Sequence, residues 1–536
     1  MKWRLLGLPK PGSRRHVRTA AGSAVLPLLL TGCWSGQADQ GTSASGAARN
    51  PTSAAPAKGA DIRLPPGFDL AKGWSVDETR RVFTVDQRSG LVLDIYAAGN
   101  SAEQAREEAS KSPSAAPSEA SPSPSGSAGS TVSSVLIARR ADNGEVAWSS
   151  TPMRRIMSEQ VPMLRVVQTG QGPYVVVVRV GGLPTNGVAR ARQLVVADSF
   201  PIAGDSGERA PARHLEHMVE GDADKVDIVI GEGGVLMADE PSEEGTAKVI
   251  VWDPLSGNAV TQGAPATRQA PNCASDVRCG ITEVPLHPSS AGTVFREAGA
   301  SGASGVDLRF GVTGRWNSAA VTPAGRTQSR LLAVTPTVLL AVWRTDDKQQ
   351  PPLYTVHDLA TGQVRASVEC TAGTPDFAEE TEKLFGSGRD EELATDAQTS
   401  PNQRYLVSGA FSADLSAGTA ACHAGNRDIR AVSLGSVDDA GVAYARLLDD
   451  DDEDPEFAVV RIGTGKIEAL ARGTVIPKTF IGQGNGVFEV KNGDAWSESK
   501  SSVLVAPPAP VTAPTTAPGT SPASGSPTAT PTPSAR

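Results

Sequence analysis

Five short bends of similar chemistry recur along this chain, and their spacing limits what it can fold into. Asp86-Gln87-Arg88-Ser89-Gly90, Asp253-Pro254-Leu255-Ser256-Gly257 and Asp358-Leu359-Ala360-Thr361-Gly362 each set Asp, a hydroxyl residue and Gly between two apolar runs. Asp142-Asn143-Gly144 and Ile462-Gly463-Thr464-Gly465 are degenerate forms. The chemistry is that of a tight hairpin. Asp caps the backbone amides of the turn, the hydroxyl does the same more weakly, and Gly takes the positive φ that a Cβ would oppose. The glycines are separated by 54, 113, 105 and 103 residues. The last three separations are close to twice a unit of about fifty residues, with the bend lost in alternate units.

The runs between the bends are short and β-branched: Tyr174 to Val180, Lys225 to Ile230, Val235 to Met237, Lys248 to Trp252, Leu331 to Trp343 and Glu456 to Ile462. That composition predicts strands. Helical periodicity is confined to two candidates, Ala102 to Ser110 and Asp376 to Phe385. A unit of about fifty residues built from four short strands is in the range of propeller blades, while the bends alone would also serve a sandwich or two small β domains. The expectation is therefore an all-β chain over residues 64–505, forming a single β-propeller of seven or eight four-stranded blades. The bends resemble those of the PQQ-like (quinoprotein) β-propellers, relatives of the WD-repeat propellers. The fullest copy is Ala141-Asp142-Asn143-Gly144-Glu145-Val146-Ala147-Trp148, which keeps the family's terminal Trp on a shortened turn. Gly257 and Gly362 are followed by no such Trp.

Outside the propeller the chain is low in complexity. Residues 33–63 read as a disordered tether, 102–131 as a disordered insertion within the propeller, and 506–536 as a Pro/Thr/Ser-rich tail open to O-glycosylation. Residues 1–32 read as a leader. Lys2, Arg4, Lys10, Arg14, Arg15 and Arg18 precede an apolar stretch, Ala20 to Leu30, which is too short to span a bilayer. It ends in Leu30-Thr31-Gly32-Cys33, which resembles a bacterial lipobox. The resemblance implies cleavage before Cys33 and a diacylglyceryl thioether on it. Two acyl chains meet the requirement for stable anchoring, so the expected address is the outer face of the cell membrane. Ser13-Arg14-Arg15-His16-Val17-Arg18 also resembles a twin-arginine signal but lacks Phe-Leu at Val17-Arg18, so both export routes stay open.

Four further cysteines, Cys273, Cys279, Cys370 and Cys422, make an even number for an exported chain and read as two disulfides. Three pairings are possible. The close pair Cys273/Cys279 would bracket a short loop, leaving Cys370 and Cys422 to close a longer one.

Beyond the leader, 44 basic residues face 59 acidic ones, net −15. That balance argues against nucleic acid and against a basic membrane-binding face. The aromatic fraction, 4%, disfavours broad stacking platforms for bases or sugars. Quinoprotein enzymes of the resembled family clamp a planar quinone beside Ca²⁺ with a disulfide between adjacent cysteines; this chain has no adjacent cysteines, and no cofactor is expected. His214, Glu216, His217 and Glu220 would converge as a metal site on a helical turn, but read better as polar residues of a blade connection. Asp449 to Asp454 reads as a solvated acidic loop rather than a Ca²⁺ site. Neither Gly386-Ser387-Gly388 nor Gly302 to Gly305 has a nucleophile elbow. No metal site and no catalytic residue is assigned. The sequence thus points to a lipid-anchored binding or scaffold propeller, with an extracytoplasmic protein or a cell-envelope glycan as partner. The alternative is an exported enzyme, either a degenerate quinoprotein oxidoreductase or a metal-dependent hydrolase.

Overall fold

The computed structural model describes residues 55–56, 62–78, 81–96 and most of 134–509. Within that last span the longer stretches outside the description are 184–190, 240–247, 263–266, 270–279, 300–308, 372–396, 449–454 and 493–499. Cys33, Cys273, Cys279, the insertion 102–131, both candidate helices and the acidic run 449–454 therefore lie outside the described residues.

The chain is all-β: eight antiparallel sheets, each built on four strands, form an eight-bladed propeller. The first strands of blades 1 to 4 are Arg81–Asp86, Met163–Thr169, Asp227–Gly231 and Gly280–Ser289. Those of blades 5 to 8 are Gln328–Val334, Gln398–Thr399, Val432–Val437 and Thr479–Ile481. First strands of successive blades pack together along blades 1–2–3–4 and 6–7–8, which sets them around the axis. Three sheets carry a fifth strand. In one of them Gly207–Arg209, from the last hairpin of blade 2, crosses back to pair in parallel with Val146–Ser150 of blade 1.

The ring closes by shared strands. Blade 8 takes Thr479–Ile481, Asn485–Asn492 and Lys500–Ala506 from the end of the chain and Trp74–Glu78 from its beginning. Ala55–Pro56 adds to that edge, and Ala509 N–H donates to Gly67 O at 2.7 Å. The body thus extends beyond 64–505 at both ends, because closure needs backbone partners that low-complexity sequence can still supply.

Every blade is a filling between two neighbours, so both its faces are buried. The run Val175-Val176-Val177-Val178 illustrates the consequence. Val175 and Val177 pack toward blade 1, with Leu93, Trp148 and Phe200. Val176 and Val178 pack toward blade 3, with Ile228, Val235 and Trp252. All four are fully buried, each contributing about 1.5–3 kcal/mol of apolar burial. An unbroken apolar run, rather than an alternating one, is what a strand with two buried faces requires. The run Leu331 to Trp343 proves to be two strands, Gln328–Val334 and Val338–Arg344, because Thr335 Oγ1 both accepts from Val338 N–H at 3.1 Å and donates to its carbonyl at 3.0 Å, closing a turn.

The bends explain the near-doubled period. Those at Gly144, Gly257, Gly362 and Gly465 join the third and fourth strands of blades 1, 3, 5 and 7. Blade 6 has its own form, Asp414-Leu415-Ser416-Ala417-Gly418, whose Asp414 Oδ1 accepts from Ser416 N–H at 3.0 Å and Ala417 N–H at 3.1 Å. The bend at Gly90 belongs elsewhere: it joins the first and second strands of blade 1. The spacing of 54 residues therefore lies within one blade and is not a blade repeat. All five glycines have φ between +66° and +80°.

In three odd-numbered blades the outer bend also receives a side chain from the blade before it. Trp316 of blade 4 lies on Gly362, where a Cβ would come within 2.6 Å of its ring, and donates Nε1–H to Leu359 O at 3.0 Å. Arg213 of blade 2 covers Gly257 and donates Nε–H to Leu255 O at 3.0 Å. Trp74 of blade 8 donates to Ala141 O of blade 1 at 2.9 Å. A disulfide, Cys370–Cys422, staples the ends of blades 5 and 6 with a Cα–Cα distance of 5.5 Å.

Candidate functional site at the channel mouth

The turns between first and second strands crowd round the axis on one face. Between them opens a cavity of about 220 Å³, lined from blades 1, 2, 3, 5, 6 and 8. Its geometry follows from the strand ends that build it.

Blade 1 contributes the turn after Arg81–Asp86. Asp86 is buried, 1% exposed, and its Oδ1 accepts from Arg88 N–H at 3.3 Å, capping the turn. Its Oδ2 has no hydrogen-bond partner among the described residues. Gln87 Nε2 lies 3.5 Å from Thr479 Oγ1, and Gly482 N–H donates to Gln87 O at 3.1 Å, so this turn is tied across the ring closure to blade 8. The exposed Arg88 reaches Gln168 Oε1 at 3.5 Å.

Blades 2 and 3 supply two opposite charges, Arg165 and Glu232, that act on each other electrostatically. Arg165 donates from Nη1 to Ile230 O at 2.8 Å. Glu232, in the turn Gly231-Glu232-Gly233-Gly234, accepts from Gln168 N–H through Oε2. Burial pushes the Glu232 carboxyl above its ordinary value, while Arg165, the Gln168 amide and Arg88 pull it back. Burial likewise lowers the Arg165 guanidinium, and Glu232 opposes that. Behind the pair sits His287, 1% exposed, with Nε2 3.4 Å from Arg165 Nη1. Burial first, and the positive Arg165 second, hold this imidazole well below its usual pKa, so it is neutral. Its Nδ1 has no partner among the described residues.

The opposite wall is uncharged. Blade 5 brings Thr335 and Pro336, and blade 6 brings Gln398, Thr399, Pro401 and Gln403. Gln403 has φ +60°, the one non-glycine residue with positive φ among the described residues. A non-glycine side chain in the left-handed region costs roughly 1–2 kcal/mol, and such strain concentrates at functional positions. Blade 8 closes the rim with Lys478, whose Nζ donates to Glu489 Oε2 at 2.7 Å and lies 5.3 Å from the centre of the Phe83 ring.

Of the bends singled out in the sequence, only the one at Asp86 reaches this cavity, through Asp86, Gln87 and Arg88; the apolar run Leu331 to Trp343 adds Val334, Thr335 and Pro336. Asp142, Asp253 and Asp358 stay at the outer bends of their own blades. His214 and its neighbours lie on an extended strand, Arg213–Glu220, rather than a helical turn. There His214 Nδ1 meets Asp198 Oδ1 at 2.7 Å, Asp198 also pairs with Arg179 at 2.9 Å, and Glu216 is 3.5 Å from His214 Nε2. His217 sits on the other face of the strand, since strand residues alternate. No group of three or more His, Cys, Asp or Glu among the described residues is arranged to hold a metal ion. No helix among them is long and apolar enough to cross a membrane. The mouth residues absent from the sequence reading had faint signals: Arg165 and Gln168 are polar positions in an apolar strand, and Glu232 is a lone charge among glycines.

No protein-family model matches the chain, and comparison with curated proteins finds no match. Among solved structures the chain is similar to the β-propeller domain of the Trilobed protease from Pyrococcus furiosus, described as having an open velcro topology. The match has 11% identity, covers 61% of this chain and 91% of that one, and has a TM-score of 0.26. An acylaminoacyl peptidase in complex with a chloromethyl ketone matches at 9% identity over 65% of this chain and 51% of that one, TM-score 0.26. A prolyl endopeptidase matches at 11% identity over 80% and 54%, TM-score 0.29. The chain spans about half the length of these two peptidases. Likeness at this level carries nothing about activity, and the eight-bladed assignment rests on the strand pairing itself.

Proposed function

We propose that this protein is an exported, lipid-anchored binding propeller, of the kind found in PQQ-like lipoproteins. It presents its channel mouth to an extracytoplasmic protein or a cell-envelope glycan. The lipobox-like run ending in Cys33 and the basic leader support the address. Between Cys33 and the ring, residues 34–54 have the Gly/Ser/Ala/Thr-rich composition of a tether.

The observation that carries the binding role is the cavity itself. It is a recess on the axis lined by both apolar and polar side chains, with the opposite charges of half-buried Arg165 and Glu232 on one wall, and it keeps a glutamine in a strained backbone conformation that glycine would occupy more cheaply. Rigid blades with exposed turns suit this use, since turn chemistry can vary without disturbing the sheets.

Two measurements test the proposal. Cys33→Ser should move the protein from the membrane fraction to the soluble exported fraction; retention in the membrane would remove the anchor. A photo-crosslinking residue replacing exposed Arg88 should capture a reproducible protein or glycan in intact cells; capture of lipid alone would remove the binding role. The enzyme alternative keeps one observation in its favour, the raised carboxyl of Glu232 beside the cavity. Turnover of a substrate panel that is abolished in Glu232→Gln would establish it.

A further inference from the structure

The geometry points to a neutral, polyhydroxylated ring, a single uncharged sugar residue, as the ligand of the channel mouth. This inference rests on the binding role proposed above and names the chemistry that the recess selects.

Size comes first. Sites for drug-sized ligands run from roughly 300 to 1,000 Å³; this cavity, about 220 Å³, takes something smaller, of one-ring dimensions. Charge comes next. Asp86 lines the recess, and its Oδ2, buried beneath the surface, is an acceptor without a partner among the described residues. An acceptor in that state is completed by a donor. A cationic donor is disfavoured, because Arg88, Arg165 and Lys478 line the same space. An anion is disfavoured by Asp86 itself and by Glu232. The donor that meets neither objection is a hydroxyl.

The opposite wall agrees. Gln398 and Gln403 can each donate and accept at once, which matches the adjacent hydroxyls of a sugar ring. Phe83, Val85 and Val166 offer an apolar surface for C–H groups. Gln403 supplies the second, independent observation. Its backbone is left-handed although it is not glycine, so the side chain is kept there against a conformational cost. A ligand contact accounts for that. Asp86 Oδ2 is covered in the free protein, so a ligand hydroxyl reaches it only as the turn after Asp86 shifts.

The same sugar chemistry could come from a free sugar or from the end of an envelope polysaccharide, and the test separates the two. The mature full-length chain is titrated by calorimetry and by saturation-transfer NMR. The probes are methyl glucoside, methyl mannoside and methyl galactoside, followed by glucuronate, glucosamine, tri-alanine and purified cell-wall polysaccharide. At least one neutral glycoside should bind, with the charged sugars about tenfold weaker, the loss of roughly one hydrogen bond to a charged group. Polysaccharide binding that the glycoside competes away assigns the envelope source; glycoside binding without it assigns the free sugar.

Gln403→Gly should weaken the glycoside about tenfold while the thermal midpoint stays level or rises. Asp86→Asn keeps the capping oxygen and should show the same loss of affinity with an unchanged midpoint. The inference is overturned if no neutral glycoside binds, if glucuronate, glucosamine or tri-alanine binds as tightly, or if Gln403→Gly keeps full affinity. Should the crosslinker at position 88 trap a protein that glycoside does not displace, the sugar assignment falls and the binding role stands. Absence of both capture and glycoside binding ends the two together.

Discussion

Two buried histidines divide this molecule. His357, in blade 5, is the centre of a completed chain. Trp343 Nε1–H donates to Thr355 Oγ1 at 2.7 Å, the Thr355 hydroxyl meets His357 Nε2 at 2.7 Å, and His357 Nδ1 meets Gly362 O at 2.9 Å. Because the indole only donates and the carbonyl only accepts, the chain fixes the protons: the hydroxyl donates to Nε2, and Nδ1 carries the hydrogen. Trp316 stacks on the imidazole with ring centres 5.7 Å apart. His287, beside the channel mouth, is just as buried, yet its Nδ1 is unpartnered among the described residues and its Nε2 faces a guanidinium at 3.4 Å. The same residue type marks a finished joint in one place and an incomplete polar network behind the mouth in the other. A satisfied buried network specifies and stiffens a fold, whereas an unsatisfied one costs stability and is kept for another reason.

The contrast can be broken most forcefully at the blade 5 side. Reducing Cys370–Cys422, which closes a separation of 52 residues, should cost about 4 kcal/mol in the loop-entropy account. Chemical denaturation with and without reductant measures it, and the mouth should keep its ligand affinity in the surviving folded fraction. Gly362→Ala comes next. Its φ of +75° and the Trp316 ring at 2.6 Å leave no room for a methyl, so a loss of about 3 kcal/mol is expected, again without change at the mouth.

Acid should sharpen the comparison. His357, His287 and His423 all have their pKa lowered by burial, and the unfolded chain takes up protons first. Their contribution to stability is therefore intact above the unfolded value of 6.5 and declines as pH falls below it, until the folded values are reached. Thermal midpoints from pH 8 down to pH 5 should fall, and His287→Gln should flatten that slope. A slope that His287→Gln leaves unchanged would mean that the mouth histidine is not held neutral. The smallest effect, of opposite sign, is expected at Gln403→Gly, a gain of about 1 kcal/mol from relief of the left-handed backbone. Calorimetric unfolding of the variant checks it.

Much of the ring was legible in the sequence because its signals are local. Asp253, Asp358 and their glycines declare a bend within five residues, and the unbroken valines of Tyr174 to Val180 declare a strand. The doubling of the period was legible too. Its cause was not, because Trp316 and Arg213 reach their bends from another blade, more than forty residues away. The bend at Gly90 misled the count because identical turn chemistry serves two positions in a blade. The mouth was almost illegible. Arg165, Glu232 and Gln403 come from three different blades, and only ring closure brings them to one cavity. The strain at Gln403 is a backbone property that no residue pattern announces.

The most direct test of the account sets two glycine-sensitive positions against each other: thermal midpoint and methyl glycoside affinity are measured on Gly362→Ala and Gln403→Gly beside the parent. The account predicts a crossing. Gly362→Ala should lose stability and keep affinity, while Gln403→Gly should keep or gain stability and lose about tenfold in affinity. If stability and affinity fall together in both variants, the mouth is only another part of the scaffold, and the division between finished joint and binding site is wrong.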